Sequence, residues 1–221
     1  MAGYKVFSFD KISSTQDYAY DAITKGTAHD HIVIVSNAQY AGRGRYRRKW
    51  VSHHGNLYAS FIFDSLERDP RLSYAVAVAI AETLATFGIP VSIKWPNDIL
   101  VSGKKISGVL IEYCGRFVIV GIGINVHTNP TVPEYETTRT DKYTSAEVQE
   151  IFSQLVKNLD KWINAKFDSV RERWMYLATG INVLVKYRGQ NVELIGINDN
   201  GALVVRHGSE YLLIHGDEII M

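Results

Sequence analysis

Apolar and polar residues alternate over residues 5–10, the period of a half-buried strand. Ser14 followed three residues later by Asp17 makes a capping-box pattern, which predicts a helix starting near Thr15. Tyr18, Ala19, Ala22 and Ile23 carry that helix to a stop at Gly26, and residues 31–35 resume as a β-branched strand. Residues 37–50 follow neither period and read as a loop, before residues 56–63 return to strand. Pro70 opens a long Ala-rich helix through Phe87, closed by Gly88, that should pack beneath a sheet. Four short strands follow, at 92–95, 99–101, 105–113 and 116–126, with turn signals at Ser102-Gly103 and Cys114-Gly115 that predict a run of hairpins. Spacings of three and four through Val148, Ile151, Phe152, Leu155, Leu159, Trp162 and Ile163 make residues 145–178 helical, as one helix or two. After Gly180 the chain turns to short β-rich pieces punctuated by Arg188-Gly189, Asp199-Asn200-Gly201 and His207-Gly208.

This order predicts an α+β fold: a mostly antiparallel sheet with helices on one side over residues 1–180, then a small β-barrel over residues 181–221. With 46% hydrophobic and 21% charged residues the chain should bury a core rather than stay disordered. The net charge of +1 gives no whole-molecule field for nucleic acid or anionic lipid, so any basic function must be local. A single cysteine, Cys114, excludes an intramolecular disulfide and a multi-cysteine zinc site, which suits a reducing compartment. No run of 18 apolar residues occurs, and we expect a cytoplasmic protein without a membrane role. An exposed edge strand is expected to be available for pairing with a second copy as a homodimer.

Four segments carry candidate chemistry. Residues 39–50, Gln-Tyr-Ala-Gly-Arg-Gly-Arg-Tyr-Arg-Arg-Lys-Trp, place five cations among glycines that let the backbone curl around an anion. Such a loop suits phosphate or carboxylate, and its competing reading is a solvated basic patch for nucleic acid. In Lys94-Trp-Pro-Asn-Asp98, Pro96 holds an extended turn that aims Asn97 and Asp98 outward, toward a nucleotide and its magnesium ion or merely into a hairpin bend. In residues 103–112, alternation puts Lys105, Ser107 and Val109 on one face and Lys104 and Ile106 on the other, so one lysine faces the sheet interior, where an anion would have to meet it. Gly121-Ile-Gly-Ile-Asn125 removes two side chains where a flat ligand could lie, although a bulge or close packing explains the same glycines.

In their order and spacing these segments, together with Ser13-Ser-Thr-Gln16 and the terminal β-rich piece, resemble the biotin protein ligase family over nearly the whole chain. The resemblance implies a class II aminoacyl-tRNA synthetase-like catalytic fold with an SH3-like appendage. It also implies a two-step reaction: biotin attacks the α-phosphate of ATP to give biotinyl-5'-AMP, and a lysine of a biotin carboxyl carrier protein then takes the biotin. Ser14, Thr15, Gln39, Gly42, Arg43, Lys105 and Gly108 would hold biotin. Arg45, Arg48, Trp50, Lys94, Asn97, Asp98, Lys105 and Asn125 would serve ATP, with Lys105, Arg45 and Arg48 catalytic and Mg2+ held mainly by the phosphates. Closure of residues 37–50 over the mixed anhydride would exclude water.

Three positions depart from the family pattern: Arg47 where a glycine is common, His53-His54 where a proline-containing turn is common, and Thr137-Thr-Arg139, which follows it loosely. With no third ligand nearby, the histidine pair reads as a turn. Larger relatives carry an amino-terminal helix-turn-helix domain; here the first strand begins within ten residues of Met1, so no operator DNA binding is expected. The competing readings are a lipoate ligase or octanoyl transferase of the same fold, the latter needing a nucleophilic cysteine, and a non-enzymatic nucleotide or nucleic-acid binding module.

Overall fold

The computed structural model describes residues 3–64 and 68–215. Its main element is a seven-stranded sheet in the order β1-β2-β3-β7-β6-β5-β4. The first strand, β1 (Lys5–Ile12), pairs in parallel with β2 (Ile32–Gln39), and α1 (Thr15–Thr24) makes the crossover that a parallel pair requires. The remaining strands, β3 (Leu57–Asp64), β4 (Val91–Lys94), β5 (Asp98–Val101), β6 (Lys104–Cys114) and β7 (Phe117–Ile124), all pair antiparallel. Ser14 caps α1 as its sequence pattern predicts, its Oγ accepting from the Asp17 N–H.

Helix α2 (Leu72–Thr86) is buried on nearly every side, from Tyr74 through Ala81, because it lies between the sheet and two further helices. Those are α3 (Val148–Ile163) and α4 (Phe167–Leu177), so residues 145–178 form two helices. Val33, Phe61, Val120 and Ile122 join the main core with α2 and α3. Their alternates Ile32, Ile34, Ile62 and Ile119 form a second cluster with Ala19 of α1. Helices therefore cover both faces, and the expectation of a single helical side holds for α2, α3 and α4 but not for α1.

The carboxy-terminal strands β8 (Leu184–Tyr187), β9 (Gln190–Ile197), β10 (Leu203–His207) and β11 (Glu210–Ile214) form an antiparallel sheet in the order β11-β10-β9-β8. Among the described residues no pair closes β11 onto β8, so the expected barrel is an open sheet there, and residues 216–221 lie outside the description. Val185, Val192, Leu194, Leu203 and Val205 join the same buried cluster as α2 and α4. The Tyr74 hydroxyl ties the two sheets, donating to the Gly201 carbonyl at 2.8 Å and accepting from the Trp95 indole at 3.0 Å. No helix among the described residues is long and apolar enough to cross a membrane.

Candidate active site

One irregularity in β6 decides which way its lysines point. Across β5 the register runs from Ile99 opposite Ser107 to Leu100 opposite Lys105, so Ile106 is an extra residue in β6. The regular alternation expected for this strand is thereby broken. Lys105 shares its face with Gly108 on a cavity, while Ile106 and Val109 both pack in the core. The cavity has a volume of about 300 Å³.

The cavity draws its wall from segments far apart in the chain. Ser14 and Thr15 at the start of α1, Gln39 at the end of β2, and Arg43, Arg45, Arg48 and Trp50 of the loop all line it. So do Lys94, Asn97 and Asp98 around the β4–β5 turn, and Lys105 and Gly108 of β6. Two expected residues do not. Gly42 lies behind the wall, where an added β-carbon would stand 2.5 Å from Ser52 Oγ and 2.6 Å from the Trp50 carbonyl. Asn125 is buried and donates its side-chain amide to the Thr138 carbonyl at 3.0 Å, holding the strand end to the following loop.

The polar end of the cavity is a linked set of side chains. Gln39 Oε1 accepts from the Thr15 N–H at 2.8 Å, and its amide donates to Ser52 Oγ at 2.8 Å. Ser60 Oγ bonds Thr15 Oγ1 and Gln16 Oε1, each at 2.9 Å. Arg43 reaches Asp17 at 2.8 Å and grips both carboxylate oxygens of Glu112, which raises its own pKa. Burial works to raise the Glu112 pKa, but hydrogen bonds from Arg43 and Gln16 and the Arg43 charge outweigh it and leave it lowered. Arg43 thus anchors the loop to α1 and β6. Gln16, Ser60 and Glu112 were absent from the sequence-predicted set; their signal was only a polar residue at a strand or helix position.

At the other end Lys105 Nζ meets Asp98 Oδ1 at 2.6 Å, with the lysine side chain only 15% exposed. The Asn97 amide donates to the Val109 carbonyl, fixing a turn that contains a cis Trp95–Pro96 peptide bond. The Trp50 indole covers Gly108 and Gly123, an opposed pair on β6 and β7. Gly121 makes room for Gln16 in the same way, so in this state close packing accounts for both glycines of the Gly-x-Gly strand. Trp50 Nε1 is buried without a hydrogen-bond acceptor among the described residues.

The loop itself is more ordered than its composition suggests. β2 continues to Gln39, and bridges between Gln39 and Ser52 and between Arg43 and Lys49 cinch the rest. Its tip places Tyr46 at φ +53° and Arg47 at φ +58°, two consecutive left-handed residues, which is where a glycine at position 47 would fit. His53 and His54 lie at the turn that ends in Gly55, and no cluster of three or more metal-ligating side chains occurs among the described residues. Cys114 ends β6 beside the α1 cluster and does not line the cavity, so it offers no nucleophile there.

Residues 8–129 match the biotin/lipoate A/B protein ligase family. The bifunctional ligase/repressor BirA of Bacillus subtilis is 30% identical in an alignment covering 98% of this chain and 74% of that protein. The biotin–[acetyl-CoA-carboxylase] ligase of Paracoccus denitrificans is 28% identical over 78% of this chain and 83% of its own. Among solved structures, the Aquifex aeolicus biotin protein ligase in complex with biotin and ATP superposes with a TM-score of 0.82 at 26% identity, covering 97% of each chain. The glycine-arginine loop, the Lys-Trp-Pro-Asn-Asp turn and the lysine strand converge on one cavity, and the chain belongs to the biotin/lipoate A/B protein ligase family.

Proposed function

We propose that this chain is a biotin protein ligase, joining biotin to AMP at the expense of ATP and passing it to a lysine of a biotin carboxyl carrier protein or domain. The observation that carries the reading is the Lys105 ammonium, paired with Asp98 inside a cavity whose rim bears Arg45 and Arg48. In the first step a biotin carboxylate oxygen bonds to the α-phosphorus and the bond to the bridging oxygen breaks, releasing pyrophosphate. Negative charge gathers on the α-phosphate oxygens as that happens. A fixed cation in a site sheltered from water offsets that charge far better than a solvated one. In the second step the neutral carrier amine attacks the acyl carbon, AMP departs with the bonding pair, and the amine loses a proton.

Among the residues at the cavity, Asp98 would be the carboxylate to meet a magnesium ion carried in on the ATP phosphates, and the ion would supply further charge neutralisation there. The linked Thr15, Gln39 and Ser60 offer donors and acceptors for a ureido ring, and the narrow glycine floor suits a flat bicycle. The reading carries no DNA-binding role: net charge is +1, and the cationic loop turns its Arg45 and Arg48 to the cavity.

The test is ATP–pyrophosphate exchange with biotin, lipoate and octanoate in parallel, with Lys105→Ala beside wild type. Exchange should require biotin and fall by about 100-fold or more in the variant. Exchange with lipoate alone would move the protein to the lipoate branch of its family, and retention of full activity in Lys105→Ala would remove the lysine from the mechanism.

A further inference from the structure

The segment after β7 is fastened to the start of the lysine strand. The Lys105 N–H donates to the Glu136 carbonyl at 2.9 Å, and the Thr138 N–H donates to the Lys105 carbonyl at 2.9 Å. Lys104 Nζ adds an ion pair to Glu136 at 2.7 Å. Just before these ties, Tyr135 is carried to the cavity, with its ring centroid 5.0 Å from Lys105 Nζ. The Trp50 ring stands 5.3 Å from the same nitrogen. Gly108 lies beneath the stem, where an added β-carbon would be 3.3 Å from Lys105 Cε.

A lysine side chain has four rotatable bonds and loses its orientation readily in solvent. Here two ring faces, a glycine and a carboxylate restrict it. We propose that Tyr135 is a positioning residue for Lys105: its ring holds the ammonium over the cavity while its anionic partner changes from Asp98 to the reacting phosphate and carboxylate oxygens. The inference rests on the ligase reading above. A ring face attracts a cation without neutralising it and without a fixed bonding direction. The lysine therefore swings a short way between oxygens, whereas with Asp98 alone it would be held at the resting position or released to water. The ring rather than the hydroxyl does this, and the backbone ties to residues 136–138 keep the ring in place.

Biotin-dependent ATP–pyrophosphate exchange by the full chain would be measured for wild type, Tyr135→Phe, Tyr135→Leu and Tyr135→Ala, with thermal melts alongside. Tyr135 is 42% exposed, so none of these changes opens the core. Phenylalanine should stay within about twofold of wild type, while leucine and alanine should each lose about tenfold in kcat with KM for biotin and ATP unchanged. Leucine matching tyrosine would show that apolar cover suffices and would overturn the proposal, as would a loss carried by KM. A wild type that exchanges with no biotin sinks the ligase reading and this inference together; a wild type that exchanges beside indifferent variants sinks this inference alone.

Discussion

The indole of Trp50 covers Gly123 so closely that a β-carbon on that glycine would stand 2.6 Å from both its Nε1 and its Cε2. No real side chain tolerates that separation, so the glycine and the tryptophan specify each other. A ligand that enters between them must lift the indole, taking a buried N–H into a new environment. Saturating biotin with ATP should change the intrinsic tryptophan fluorescence of wild type, and most of the change should be lost in Trp50→Phe, which keeps Trp95 at the cavity wall and Trp162 and Trp174 away from it as internal controls. An unaltered signal in wild type at ligand concentrations that support turnover would mean that Trp50 stays where it is.

Acid should act on the site through Glu112. Its carboxyl is held below the ordinary range by the Arg43 and Gln16 hydrogen bonds and the Arg43 charge, in spite of burial. A depressed folded-state pKa stabilises the fold above the unfolded value, and that contribution is lost as pH falls through the lower folded one. Glu112→Gln should cost about 1 kcal/mol at pH 7, since the pair is partly exposed and screened. The gap between variant and wild type should close below about pH 4. Denaturant midpoints at pH 7 and pH 3 measure both, and an equal gap at the two values would separate Glu112 from acid sensitivity.

Arg47 sits in a conformation that side chains with a β-carbon adopt at a cost of about 1 kcal/mol. Glycine there removes that strain and adds a comparable entropy to the unfolded chain. Arg47→Gly should accordingly leave stability within about 0.5 kcal/mol of wild type, unlike most glycine replacements. Equilibrium urea unfolding decides it, and a loss above about 1 kcal/mol would show that the Arg47 side chain holds the tip.

Ligand should also protect the loop from cutting. Tyr46 at its tip is 60% exposed, and the bridges that cinch it are isolated pairs rather than ladders. Limited proteolysis within residues 40–50 should slow by at least about fivefold when biotin and ATP are both present. Equal cleavage rates with and without them would refute the lid.

Much of this was legible locally. The Ser14 cap, the Ala-rich α2 and the hairpins follow from periodicity and turn chemistry, and of the fourteen site residues that the family resemblance implies, twelve line one cavity. What local patterns could not carry are relations between residues distant in the chain. Arg43 meets a carboxylate 69 positions away, and nothing in the alternating run at Glu112 marks it as that partner. Tyr135 comes from a connection whose composition looks like an ordinary loop, and its role depends on backbone ties to Lys105. The α1 side of the sheet was invisible for a related reason: β2 and β3 are apolar on both faces, a pattern that says a strand is buried but not by what.

The extra residue at Ile106 changes how gains and losses of single residues in this stretch should be read. In a regular strand an insertion or deletion turns everything beyond it to the other face. Here the bulge has already absorbed an odd count, so a chain lacking Ile106 would still present Lys105 to the cavity and lose mainly the core packing of one isoleucine. An alignment gap at this position is thus compatible with an intact lysine. A one-residue insertion between Lys105 and Ser107, invisible to a motif search that permits gaps, would put two extra residues there: regular pairing would keep the lysine on its face but slide it opposite Ser102 instead of Leu100, away from Asp98.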